Sequence, residues 1–239
     1  TRKESSAASD VYKRQVVDTE NRLVGIVTID DAIDVLQEEA TEDIEKMAAV
    51  MPSDKPYMKT SVFGIYKKRI PWLLVLMLSA TFTSAIISHF ESALASVIVL
   101  SSFIPMITGT GGNAGSQASV SVIRALSLGE IKFCNAVKVL WKEFRVSILC
   151  GVTLAAANFI KLMIFDLNGK ENALFIGLVV SLTLIGTIIM AKLIGSFLPM
   201  VAHKIGVDPA VMASPLITTI CDALSLLIYF GIATTILHI

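Results

Sequence analysis

The chain has 239 residues, 54% of them apolar and 17% charged, with a mean hydropathy of +0.72. A soluble domain carries roughly a quarter charged residues and about 45–50% apolar ones, so the composition excludes an ordinary soluble globule, and the apolar fraction excludes a disordered chain. The formal charge is zero but unevenly placed: residues 1–60 carry net −5 and residues 61–239 net +5, and the basic residues lie scattered among apolar runs, which is not the footprint of a nucleic-acid binder.

Residues 1–15 (TRKESSAASDVYKRQ) show no apolar periodicity and are expected to be disordered or a non-native leader. Val16-Val17, the polar turn from Asp18 to Asn21, and Leu23 to Val27 predict a short β-hairpin. Two strands alone are barely stable, so the hairpin is expected to be the remnant of a larger domain. Thr28 to Met47 predicts a helix with two faces. Ile29, Ile33, Leu36, Ala40, Ile44 and Met47 fall on one side, and Asp31, Asp34, Glu38, Glu42 and Glu45 on the other. Asp30, Glu39 and Asp43 flank this acidic ridge, and a connector with Pro52 and Pro56 follows to residue 60.

Five hydrophobic spans come next, at roughly 70–88, 93–122, 146–165, 173–198 and 210–237. Each reaches the ~20 residues needed to cross a bilayer core, and together they predict an all-α polytopic membrane protein. Eleven lysines and arginines (Lys55, Lys59, Lys67, Lys68, Arg69, Arg124, Lys132, Lys138, Lys142, Arg145 and Lys204) fall on the side of residue 70, and only Lys170 in the opposite loops. The positive-inside bias therefore predicts a multi-pass cell-membrane protein with a cytoplasmic N-terminus and an outside C-terminus.

Three features carry chemistry. Asp222 lies inside the last span, and a carboxylate at mid-bilayer costs about 2.5–3.5 kcal/mol on insertion scales, so it normally faces a water-filled path or a partner. Thr218, Asp222, Ser225 and Tyr229 share its helical face, and Pro215 precedes them. The alternative is an Asp neutralised by a proton or by a lysine, although Lys161 and Lys192 are expected near span ends. The second feature is Pro105 to Gln117 (PMITGTGGNAGSQ). It predicts a helix break at membrane depth, with Asn113, Ser116 and Gln117 offering polar groups to a pathway; the alternative is close helix packing through small residues, Gly115 and Ser119 having that spacing. Its glycines echo a dinucleotide loop, but without the strand–turn–helix context that such a loop needs. The third is the acidic ridge. Carboxylates without His or Cys suit Mg²⁺ or Ca²⁺ rather than zinc or copper, whereas the bland alternative is a solvated helix face. Cys134, Cys150 and Cys221 have no metal-site spacing, and His89, His203 and His238 lie at span ends far from Asp222, which points away from an enzyme.

The segments VVDTENRLVGIVTIDDAIDVLQEEATEDIEKMAAV, IPWLLVLMLSATFTSAIISHFES, PMITGTGGNAGSQAS and GVDPAVMASPLITTICDALSLLIYF resemble, in this order and over roughly residues 16–239, the MgtE-type family of magnesium channels and transporters. The resemblance implies a CBS-domain remnant at 16–28, an acidic plug helix and linker at 29–60, and a five-helix transmembrane channel domain at 61–239. It further implies a homodimer with its pore on the twofold axis. Asp222 would hold hydrated Mg²⁺ there, lined by Gly111, Gly112, Asn113, Ser214, Pro215, Thr218 and Ser225. Asp31, Asp34, Glu39, Glu42 and Asp43 would bind regulatory Mg²⁺. Ser214 departs from the Asn that the family often carries before this proline. The expected function is Mg²⁺ conduction gated by cytosolic Mg²⁺; the alternatives are an ion-coupled secondary Mg²⁺/Co²⁺ carrier and a non-conducting cation sensor.

Overall fold

The structure is a computed structural model, described here for residues 13–53, 56–166, 172–212 and 214–238. Strands β1 (Lys13–Val17) and β2 (Leu23–Thr28) pair antiparallel, with an irregularity at Val16/Val17. The hairpin therefore begins three residues earlier than expected: Lys13 to Gln15 pair with Thr28, Val27 and Ile26. Backbone pairing needs no apolar side chain, which is why hydrophobic periodicity did not show it. The remaining residues of the expected leader, 1–12, lie outside the described residues.

Thr28 ends β2 and caps α1 (Ile29–Met47). Its Oγ1 accepts from the Asp31 amide at 3.2 Å, while the Asp31 carboxylate accepts from the Thr28 amide at 2.9 Å, a reciprocal capping box. Ser61 caps α2 (Val62–His89) from one side only, its Oγ accepting from the Gly64 N–H at 3.1 Å. At 1.5 Å per residue α2 is about 42 Å long, and it buries no residue: Leu73, Leu74, Met77, Leu78 and Phe82 all point outward. An apolar helix with an apolar surround fits lipid, not water.

The chain then turns through the short α3 (Glu91–Ser96) and a 3₁₀ segment, Ile98–Phe103, into α4 (Ile104–Ser127). Here the structure corrects the expected break at membrane depth. The segment Gly109–Gln117 is continuous α-helix, and the irregular backbone lies before it, at 98–103. Glycine permits unusual backbone geometry but does not require it, and Gly111, Gly112 and Gly115 serve packing instead. A β-carbon on Gly115 would lie 2.9 Å from both Cys221 Sγ and Ile217 Cγ2, and one on Gly111 2.5 Å from Ser225 Oγ. On α6 (Ala173–Lys204), Gly195 abuts the Gly115 carbonyl so closely that any β-carbon would collide with it. The small-residue packing alternative is the one realised.

α5 (Ala136–Lys161) ends in a π-helical turn, Leu162–Asp166, and α7 (Ser214–Leu237) closes the fold. α4, α6 and α7 pack against one another at the centre, α5 covers α6, and α2 lies on α7. The main core joins Leu100, Phe103 and Ile107 to Val179, Val180, Leu226, Tyr229 and Phe230. Within it Tyr229 donates its hydroxyl to the Leu100 carbonyl at 2.9 Å, tying α7 to the turn before α4. Among the described residues, four segments are long and apolar enough to cross a membrane: Val62–His89, Phe133–Asp166, Ala173–Lys204 and Pro215–Leu237. The chain is thus an all-α multi-pass membrane protein. α4 is about 36 Å long, but its Gly, Ser, Asn and Gln residues leave it outside that apolar set.

Candidate functional site

Asp222 sits on the third turn of α7, half-buried at the seam with α4. Gly112 makes the approach possible: the position of a β-carbon there is 3.1 Å from Thr218 Cγ2 and 3.5 Å from Asp222 Oδ1. α7 begins at Ser214, four residues later than the span edge had implied, because Pro209–Met212 forms a separate 3₁₀ turn. Asp222 is consequently about 12 Å along its helix. Pro215 falls in the first turn, where a missing N–H costs nothing. Its carbonyl is not left open, since the Thr218 and Thr219 hydroxyls both donate to it at 2.9 Å.

The polar stripe divides by depth. Thr218 and Asp222 are half-buried against Gly112, whereas Ser225 is fully buried beside Gly111 and donates to the Cys221 carbonyl, and Tyr229 is in the core. Asn113 is exposed on the outer face of α4, Gly111 and Gly112 are buried, and the Ser214 side chain lies outside the described residues. Among the described residues no lysine or arginine forms an ion pair with Asp222. Lys161 is at the end of α5 as expected, paired with Asp166 at 2.8 Å. Lys192 is not near a helix end: α6 continues to Lys204, past the expected edge at 198, so Lys192 is carried inward and is 6% exposed.

The acidic residues of α1 serve different purposes. Asp31 is occupied by its cap, and the hydrogen bonds from the Thr28 hydroxyl and amide hold its carboxyl below the usual carboxylate range. Asp34, Glu38, Glu39, Glu42 and Glu45 line an open groove of about 830 Å³ that is closed below by Pro52, Ser53 and Tyr57. Among the described residues no three acidic, His or Cys side chains of the single chain converge tightly enough to hold a metal ion.

Asp43 faces elsewhere, and here sequence reasoning missed two residues. Lys46 bridges Glu42 Oε1 at 2.5 Å and Asp208 Oδ2 at 2.6 Å. Asp208 lies in the turn just before α7, and its other oxygen accepts from the Ala210 amide at 2.9 Å. Burial alone raises the Asp208 pKa, but the bonds from Lys46 and Ala210 outweigh it and hold the carboxyl below its ordinary value. Asp43, partly desolvated and repelled by Asp208, is pushed up. The pairing spans most of the chain, so no local pattern marks it. A lone lysine closing an acidic helix was the available signal.

Residues 104–232, from α4 through most of α7, match the family model MgtE, described as a divalent cation transporter. The chain belongs to the MgtE family. Its relatives include the magnesium transporter MgtE of Bacillus subtilis, 43% identical over 224 residues, and those of Thermus thermophilus, 40% over 223, and Enterococcus faecalis, 36% over 219. These alignments cover 92–93% of this chain but 47–48% of each relative, so the chain spans about half the length of the MgtE proteins it matches.

Proposed function

We propose that the chain is the membrane part of a Mg²⁺ channel, and that Asp222 is its ion-holding group. The observation that carries this is an unpaired carboxylate, half-buried inside an apolar helix, at a seam that Gly112 keeps open. Mg²⁺ dehydrates reluctantly and is held through one or two carboxylates with several waters retained. One Asp222 from each of two chains across a twofold axis meets that requirement, with Thr218 and Asn113 offering polar groups to the waters. The homodimer and α4 as a fifth span belong to the same reading. With the basic loops and the acidic helix facing the cytoplasm, each inward-moving ion gains about 4.6 kcal/mol per 100 mV for its two charges. No bond is made or broken in this function.

The groove on α1 is the proposed sensor. Asp34, Glu39, Glu42 and Asp43, with Asp31 at the cap, concentrate negative charge on a helix that Lys46 ties to the turn before α7. Divalent ions bridging these carboxylates to a CBS-type domain would favour the docked, closed state, and ions can bias the equilibrium only by binding that state better. The hairpin at 13–28 is the end of such a domain in this reading.

The test is Mg²⁺ uptake by liposomes carrying the wild-type chain or Asp222→Asn. An amide keeps the shape but not the charge, so the variant should remain in the membrane and lose Mg²⁺ selectivity, with uptake falling at least tenfold. Unchanged uptake would remove Asp222 from the pathway. Current that reverses with the Mg²⁺ gradient alone separates a channel from an ion-coupled carrier.

A further inference from the structure

α2 is longer than the bilayer core requires. Its stretch free of Lys, Arg, Asp and Glu begins at Ile70, and the hydrocarbon takes about 20 residues. Residues 70–89 therefore fill the core, and residues 62–69 stand in and just above the headgroup layer. The 3₁₀ turn Tyr57–Lys59 is folded back to the same level, since Tyr57 and Thr60 share a small recess of about 90 Å³ with Ile65, Lys68 and Arg69. Two stripes of α2 differ. Ile65, Lys68, Trp72, Leu76 and Ser79 are half-covered, and the Lys68 ammonium donates to the Pro52 carbonyl at 2.7 Å. On the opposite side Phe63, Tyr66 and Lys67 continue the exposed stripe of Leu74, Met77 and Leu78. What acyl chains cover in the core is thus covered here by whatever the headgroup layer presents.

Charge narrows the occupant. From Pro56 to Phe90 the chain has four lysines and arginines and no Asp or Glu. Lys59, Lys67 and Arg69 form no ion pair among the described residues. Glu45, which lines the recess beside Arg69, is taken by the Ser53 amide at 2.8 Å. Lys67 Nζ stands 5.1 Å from the centroid of the Phe63 ring, which stacks on Tyr66, and a ring face leaves the ammonium N–H groups free for an oxygen acceptor. Uncompensated cations among exposed aromatic side chains suit the membrane interface, where the rings sit at headgroup level and phosphates meet the charge. We propose that Met58, Phe63 and Tyr66 seat in the headgroup layer while Lys59, Lys67 and Arg69 hold anionic phospholipid, so that such lipid collects at this end of α2. Free phosphate would leave Met58, 90% exposed, and Phe63, 64% exposed, uncovered, and a zwitterionic lipid would leave the three cations without net counter-charge.

The experiment places a fluorescent reporter beside the site by Val62→Trp, with Trp72 and Trp141 replaced by Phe. The chain is reconstituted in phosphatidylcholine with a minor fraction of phosphatidylglycerol, and either lipid in turn carries brominated acyl chains that quench the reporter. It reads lipid contact without reference to ion flux, so its failure is separate from that of the transport reading. Phosphatidylglycerol should be enriched around the reporter about fivefold over its mole ratio. The enrichment should vanish in about 1 M NaCl and in the variant combining Lys59→Gln, Lys67→Gln and Arg69→Gln. It should survive Lys132→Gln with Lys138→Gln, which remove the same kind of charge from the start of α5. If the triple variant does not reconstitute, Lys67→Gln alone should lower the enrichment. Quenching in proportion to mole ratio for the unaltered site overturns the proposal, as does enrichment that the Lys132→Gln, Lys138→Gln pair abolishes equally. Quenching by neither lipid also overturns it, because a second protein chain would then cover this face.

Discussion

Two glycines of one helix show how differently the same residue type is used. Gly109 and Gly115 both lie inside α4, but a β-carbon on Gly109 would meet nothing within 4 Å, while on Gly115 it would meet Cys221, Ile217 and the Ala191 carbonyl. Replacing a helical glycine by alanine gains up to about 1 kcal/mol of propensity, whereas forcing a methyl into a packed seam costs about 1–3 kcal/mol. Gly109→Ala should therefore raise the unfolding midpoint and Gly115→Ala lower it, measured in the same detergent. Equal effects would mean that α4 and α7 are not as close as described. Gly112 falls between the two: its nearest neighbour is 3.1 Å away, so a small substituent there should perturb Asp222 and ion uptake more than stability.

Among the elements, α1 and α7 are joined by Lys46 and Asp208. Asp208 is held below its ordinary 3.8, so its contribution to docking is complete above that value and is lost as pH falls through the lowered pKa. Lys46 is held above its ordinary 10.5, so its contribution is complete below that value and is lost only as pH rises through the raised pKa. The clasp should persist across the whole physiological range. Asp43 acts with the opposite sign: its pKa is raised, so its charge weakens docking at neutral pH. Lys46→Met should release α1, read as faster amide exchange in residues 42–53, and Asp43→Asn should slow it. In liposomes the first should raise Mg²⁺ uptake at high internal Mg²⁺. Identical exchange in all three proteins would reduce the clasp to a surface pair of the ordinary weak kind.

For the whole molecule, the outward faces are uneven. Ile29, Ile33, Leu36 and Ile44 on α1, with Val24 and Ile26 on β2, are exposed at the aqueous end, while α2 shows its apolar residues on every side. The first group has no lipid to meet if α1 is cytoplasmic, which fits the proposed docking of a CBS-type domain on it. The proposed dimer is tested at the same scale. With Cys134, Cys150 and Cys221 replaced by Ser or Ala, Asp222→Cys should form an oxidative cross-link between two chains if position 222 faces its twin across the pore. A cross-link absent at Asp222→Cys but present at a lipid-facing control such as Leu74→Cys would place the axis elsewhere.

Much of this was legible in one dimension. Length, hydropathy and an isolated carboxylate at position 222 identify a membrane protein with a polar site in its last helix, because burial of charge in an apolar segment is improbable without a use. The 3.6-residue period located α1. The tertiary structure decided the rest. Gly111 to Gly115 became packing rather than a break, because the space left by absent side chains was filled by α6 and α7. Lys192 became an interior residue, because α6 continued past its apolar run. Lys46 found Asp208 on the far side of the chain, since an ion pair depends on where two helices end in space and leaves no periodic trace in either.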